Sequence, residues 1–294
     1  MHQPFSAIEV LTFRGRTFYV KRDDTIDPLL SGNKYRKLYS LIQTPSEKYT
    51  DVVSYGGTQS NAMLSIAALC QQKGWRFHYT SKTVPTHLRA KPTGNLKKAL
   101  EVGMQLYEVA PKAYEEAISK LKIENTIPTT LLIPQGGADP LAKSGIEVLA
   151  DEIKSWLYAK GITKLNVITP SGTGTTAYYL AAALKGVDVI TTPVVGDKFY
   201  LTEQMKLLGP IPANLHIIES RKKMHFGKPY AELLAIYQEL KQNGIEFDLI
   251  YAAKMWLVLM EYADNFEGEM LYIHSGGLIG NETMLERYRY KRLF

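Results

Sequence analysis

The chain has 294 residues, 45% hydrophobic and 22% charged, enough to bury a sizeable core and to build two lobes or one large α/β unit. Its net charge of +6 (35 Lys and Arg against 29 Asp and Glu) is spread along the chain, and the densest cluster, Arg221-Lys222-Lys223, lacks interleaved aromatics, which argues against nucleic acid and fits a small anionic ligand equally well. No apolar run reaches the roughly 18 residues of a membrane span, Met1 to Phe5 do not read as a signal peptide, and the single cysteine, Cys70, excludes an internal disulfide framework and suits the cytoplasm.

In chain order, the first informative stretch is Ser31-Gly32-Asn33-Lys34-Tyr35-Arg36-Lys37. It sets a lysine in a polar, glycine-containing turn ahead of an apolar helical pattern. Enclosure and nearby cations, here Arg36 and Lys37, lower the pKa of such a lysine and make it a neutral nucleophile. A strand is expected at 51–55. It leads into Ser54-Tyr55-Gly56-Gly57-Thr58-Gln59-Ser60-Asn61, whose hydroxyls, amides and glycines can bind a carboxylate at a helix N-terminus. Ser60 or Asn61 could equally be only the N-cap of the helix expected at 61–73, with Cys70 on its apolar face. Strands at 76–79, 105–109 and 130–133 alternate with helices at 94–101 and 111–121.

A helix at 144–160 then precedes a strand at 166–169 and the loop Thr169-Pro170-Ser171-Gly172-Thr173-Gly174-Thr175-Thr176, which opens the helix at 176–184. Backbone N–H groups and hydroxyls converging on a helix start make a phosphate cradle. No Gly-Lys-Ser/Thr follows, so this is not a Walker loop. Strands at 187–195 and 215–219 and a helix at 230–242 lead to the last strand, 270–274, which ends in His274-Ser275-Gly276-Gly277. His274 reads as a satisfied core histidine, and the six histidines show no metal-ligand spacing, so no metal is expected. Short Val/Ile/Leu-rich strands alternating with helices predict a doubly wound α/β architecture of open, twisted parallel sheets.

An activated lysine, a carboxylate-binding loop, a phosphate cradle and a Ser-Gly-Gly strand end are the parts that pyridoxal 5'-phosphate asks for. From Val20-Lys21-Arg22-Asp23-Asp24 to His274-Ser275-Gly276-Gly277 the chain resembles the 1-aminocyclopropane-1-carboxylate deaminase and D-cysteine desulfhydrase family, pyridoxal phosphate enzymes of the tryptophan-synthase β-like fold (fold type II). The resemblance implies that Lys34 is the Schiff-base lysine and that Asn61 stands beside the cofactor's phenolic oxygen. Ser60, with Thr58, Gln59 and Asn61, would bind the substrate carboxylate, and Ser60 would also act in the chemistry. Ser171, Gly172, Thr173, Gly174, Thr175 and Thr176 would cradle the phosphate, Ser275 would meet the pyridine nitrogen, and Tyr251 would be the active-site tyrosine. It further implies a large cofactor domain (1–38 and 138–294), a smaller mobile domain (39–137), a small amino-acid substrate and a homodimer.

Three positions depart from the family pattern: Ala62 after the Ser-Asn pair, Ala252 after the tyrosine, and Phe226 where the family carries a second tyrosine. A phenylalanine cannot transfer a proton. The expected function is a pyridoxal phosphate-dependent deaminase or lyase that releases a 2-oxo acid and ammonia, with Lys34 also taking the α-proton. The alternatives are a cofactor-binding relative without catalysis and a general phosphate-binding domain.

Overall fold

A computed structural model describes residues 5–30, 32–124, 127–137 and 141–294. Ser31, the start of the lysine turn, and the domain boundary expected at 137/138 touch residues outside this set, as do Met1 to Pro4. The strands are β1 (Ile8–Phe13), β2 (Arg16–Lys21), β3 (Asp51–Tyr55), β4 (Arg76–Lys82), β5 (Met104–Val109), β6 (Thr130–Ile133), β7 (Leu165–Ile168), β8 (Asp188–Thr191), β9 (Leu215–Ile217) and β10 (Glu269–Ile273). The helices are α1 (Asn33–Lys37), α2 (Tyr39–Gln43), α3 (Asn61–Lys73), α4 (Thr86–Ala90), α5 (Gly94–Glu101), α6 (Tyr114–Glu124), α7 (Ala142–Lys160), α8 (Thr175–Ala183), α9 (Lys198–Lys206), α10 (Ala231–Gln242), α11 (Ala252–Tyr262) and α12 (Gly280–Tyr290).

Two sheets result. One has the order β1-β2-β10-β7-β8-β9 and is parallel except for the antiparallel edge strand β1; the other, β5-β4-β3-β6, is parallel throughout. Strand periodicity sorts the six-stranded sheet's side chains onto two faces. Met270 and Tyr272 of β10 join Trp256, Phe247 and the helices α10 to α12. Leu271 and Ile273 join α7, α8 and Leu201 and Met205 of α9. A third core packs α3, Cys70 included, against β3, β4 and α5. Cys70 is buried, and burial pushes its thiol up to about 12, so it is inert packing.

The apolar helical pattern expected after the lysine turn is α2; the antiparallel β1–β2 hairpin and the helices α1, α4, α9, α11 and α12 were not among the expected elements, and the strand expected at 187–195 ends at Thr191. Past Thr191 the chain keeps a single bridge, Ser171 to Pro193.

The site follows from register. β10 lies between β2 and β7 and runs parallel to both, pairing Ile273 with Lys21 and Tyr272 with Ile168. Three neighbouring strands therefore end level. Beyond their carboxyl ends lie the segment leading to Lys34, the loop 169–176 and Ser275, as open α/β sheets place their ligand sites.

Candidate active site

Lys34 sits in the first turn of α1, and the turn before it is pinned from both sides. Gly32, at φ 59, lies so close to the end of β10 that a Cβ would overlap the Ser275 carbonyl. The Asn33 N–H donates to that carbonyl (3.3 Å), and the Gly32 N–H donates to the Asp23 carbonyl (3.0 Å). The lysine turn and the Ser-Gly-Gly strand end, 241 residues apart in sequence (275 minus 34), are thus in direct backbone contact. Burial lowers the Lys34 amine to about 8, and the negative charge of Asp248 opposes the fall.

Arg36 is not the cation that depresses Lys34, contrary to the sequence-based expectation. Its buried guanidinium is neutralised by Asp23 (2.9 and 2.8 Å) and Glu152 (2.6 and 2.9 Å), and Glu152 also takes Lys21 Nζ (2.6 Å). Lys37 is buried too. Its Nζ donates to the Gly136 carbonyl (3.1 Å), and burial, with the charge of Lys34, pushes its pKa well down.

The loop after β3 brings Thr58 to Asn61 to the partly exposed start of α3. Ser60 is the N-cap of α3, its Oγ accepting from the Met63 N–H (3.3 Å), and its O–H remains a donor. The Tyr79 hydroxyl supports the loop from below by donating to the Gly57 carbonyl (3.1 Å). Gln59 turns away from the cleft: its Nε2 donates to the Thr93 carbonyl (3.0 Å), and its Oε1 accepts from the Asn95 N–H (3.0 Å). Asn61 instead reaches the β10 end, where a Cβ on Gly277 would come within 2.5 Å of Asn61 Nδ2.

The loop after β7 wraps the N-terminus of α8. Thr191 Oγ1 donates its hydrogen to the Thr169 carbonyl (2.7 Å), so the Ser171 hydroxyl donates to Thr191 Oγ1 (2.7 Å) and faces the sheet. Thr173 and Thr175 hydroxyls bond each other (3.1 Å), and Thr176 Oγ1 is buried without a partner. Tyr251, the N-cap residue of α11, lays its ring against Gly172: a Cβ there would lie 3.4 Å from Cε1. Burial and Asp248 push the Tyr251 hydroxyl up to about 12. Ser275 Oγ is buried and unpartnered. Beneath it His274 is satisfied within the core, as the sequence predicts: Nε2 donates to the Glu246 carbonyl (2.8 Å), Nδ1 accepts from the Gly276 N–H (3.2 Å), and the ring stacks on Phe247.

The family model described as "Pyridoxal-phosphate dependent enzyme" matches residues 6–265. This chain belongs to the pyridoxal-phosphate dependent enzymes. Among its relatives is the mitochondrial bifunctional D-cysteine desulfhydrase/1-aminocyclopropane-1-carboxylate deaminase of Arabidopsis thaliana, 28% identical, with 90% of this chain and 73% of that one covered. Another is the D-cysteine desulfhydrase of Serratia proteamaculans, 25% identical, with 90% and 88% covered. The fold is that of a crystal structure of an ACC deaminase homologue (TM-score 0.74, 22% identity, 98% and 94% covered) and of a fungal L-serine ammonia-lyase from Rhizomucor miehei (TM-score 0.68, 13% identity, 98% of each chain covered).

The residues present fit the cofactor of the pyridoxal-phosphate dependent enzymes. Among the described residues, the buried hydroxyls Thr176 Oγ1 and Ser275 Oγ have no hydrogen-bond partner, one at the helix start and one at the strand end. An unpaired buried hydroxyl costs stability unless a ligand uses it. Sequence reasoning missed Asp248. Asp248 is buried and accepts three backbone N–H bonds, from Ile250 (3.1 Å), Tyr251 (2.6 Å) and Ala252 (3.0 Å), which fix the start of α11; burial raises it to about 6. Its signal is an aspartate just ahead of an apolar helical run, the mark of a helix start. Of the three departures, Ala62 and Ala252 are core residues (6% and 1% exposed), and only Phe226, 52% exposed, stands beside Tyr251, with ring centroids 5.9 Å apart.

Proposed function

We propose that this pyridoxal phosphate enzyme is a deaminase or lyase acting on a small amino acid, releasing a 2-oxo acid and ammonia, with β-elimination favoured over cyclopropane ring opening. The observation that supports this most is a lysine amine lowered to about 8, held by backbone contacts beside the strand end that carries Ser275. When bound, pyridoxal phosphate supplies an aldehyde for amines and an electron sink for the substrate α-carbon. Lys34 Nζ, as the neutral amine, would hold the cofactor's aldehyde and, when free, would take the substrate α-proton as general base. Backbone N–H groups at the start of α8 and the Thr173, Thr175 and Thr176 hydroxyls would hold the phosphate. The Ser60 hydroxyl, with Thr58 and neighbouring amides, holds the substrate carboxylate. Tyr251 stays protonated at neutral pH and is the hydroxyl donor of the pocket, since Phe226 has none.

The preference for β-elimination rests on Ser275. A neutral hydroxyl at the ring nitrogen leaves it less protonated than a carboxylate would, so the ring is a weaker electron sink. Expelling a β-thiolate needs that sink less than breaking a cyclopropane does. The purified protein given D-cysteine should release pyruvate. Rapid 2-oxobutyrate from 1-aminocyclopropane-1-carboxylate, with no product from D-cysteine, would overturn the preference. The same proposal includes a cytoplasmic homodimer and movement of the unit 39–137 over the cleft.

A further inference from the structure

We infer that Asn95 is a positioning residue: it orients the side-chain amide of Asn61 so that the N–H groups, and not the carbonyl oxygen, face the cofactor's ring oxygen. This rests on the cofactor reading above and adds a residue to it. Asn95 is fully buried at the start of α5. Its Nδ2 donates to two acceptors, the Gln59 backbone carbonyl (2.9 Å) and Asn61 Oδ1 (2.6 Å). The first of these contacts decides the orientation of both amides. A backbone carbonyl can only accept, so the Asn95 atom facing it is the nitrogen. That nitrogen is then the donor to Asn61, and the Asn61 atom it meets is the oxygen. Asn61 Nδ2 is left pointing the other way, against Gly277, beyond the strand end that packs on the lysine turn.

Gln59 completes the device. Its own amide is held by the Thr93 carbonyl and the Asn95 N–H, so the loop 58–61 cannot turn without breaking four bonds to residues 93 and 95. An N–H donor at the ring oxygen stabilises that oxygen's negative charge. A carbonyl oxygen in the same place would repel the charge, and the proton shared between ring oxygen and lysine nitrogen would be held more tightly.

The test is the visible absorbance of the holoenzyme recorded from pH 5 to 10. In Asn95→Asp the carboxylate cannot donate, and Asn61 is expected to turn its N–H groups toward it. The midpoint of the absorbance change should rise by about one pH unit. Asn95→Ala, which removes the donor without adding charge, should move the midpoint in the same direction by less, and it carries the test if the aspartate variant does not fold. In the Asn61→Ala background neither substitution should move the midpoint further. A coloured Asn95 variant with an unchanged midpoint and only a lower melting temperature would overturn the inference, as would a shift that persists without Asn61. A wild-type protein that stays colourless with pyridoxal phosphate would instead overturn the cofactor reading on which the inference stands.

Discussion

At the scale of single residues, Lys34 and Asp248 each carry a charge that burial makes expensive. An amine at about 8 is mostly ammonium at neutral pH, and only the neutral form attacks an aldehyde. The rate at which the apo protein captures pyridoxal phosphate should therefore rise with pH, about tenfold per unit well below 8, and level off above it. Stopped-flow absorbance reads this directly. Asp248 raises the Lys34 pKa, so Asp248→Asn should move the plateau to lower pH; an unmoved profile would separate Asp248 from the lysine. Lys34→Ala should abolish the visible band of the bound cofactor and leave the circular dichroism unchanged. A surviving band would show that another amine, with buried Lys37 the first to examine, makes the bond.

At the scale of elements, α1 is only five residues long, too short to hold its shape by its own hydrogen bonds. What holds it is the buried set of Lys21 on β2, Asp23 after it, Arg36 on α1 and Glu152 on α7. Glu152→Ala would leave Lys21 with the Ser6 carbonyl and Arg36 with Asp23 as their partners among the described residues. Breaking a buried pair from one side costs about 3–5 kcal/mol, and urea unfolding of the apo protein should show a loss of that size. A loss below about 1 kcal/mol would mean that the set is solvated, as surface pairs are. This cluster also marks a limit of sequence reading. Arg36 beside Lys34 reads as a pKa-lowering cation, and only the fold, by bringing up Glu152 from 116 residues away, cancels its charge. The β1–β2 hairpin was hard to read for a local reason. Its turn is Arg14-Gly15, with Arg14 at φ 49, where Asn-Gly or Asp-Gly would have signalled it. The helices α9 and α12 lacked a strong apolar stripe, whereas β7 and α3 were legible because burial on all sides left nearly continuous apolar runs. The loops 56–61 and 169–176 and Ser275 were visible in sequence because glycines and hydroxyls crowd at strand ends. Asn95 was not, because it acts on Asn61 through a side-chain bond that spacing does not reveal, and Asp248 showed only as a helix-start aspartate, its charge reaching Lys34 through the fold.

At the scale of the molecule, the two sheets meet where the loop 58–61 faces the ends of β2, β10 and β7, and a carboxylate latch joins them. Glu282 of α12, which follows β10 of the six-stranded sheet, accepts from the Gly94 N–H (2.9 Å) at the start of α5, between β4 and β5 of the four-stranded sheet. Glu286 accepts from the Thr93 hydroxyl (3.3 Å). A carboxylate at a helix N-terminus contributes about 0.3–1 kcal/mol, and up to about 2 kcal/mol when partly buried. That is small beside the cores of the two units. Glu282→Ala should therefore leave the melting temperature nearly unchanged while raising hydrogen exchange at residues 93–102. The same segment carries Asn95 and hence the substrate loop. The KM for the amino-acid substrate should rise by about two- to tenfold, the range that 0.5–1.4 kcal/mol allows, with kcat falling less. A large fall in melting temperature, with exchange raised throughout the chain, would show instead that Glu282 stabilises the whole fold rather than the contact between α12 and the start of α5.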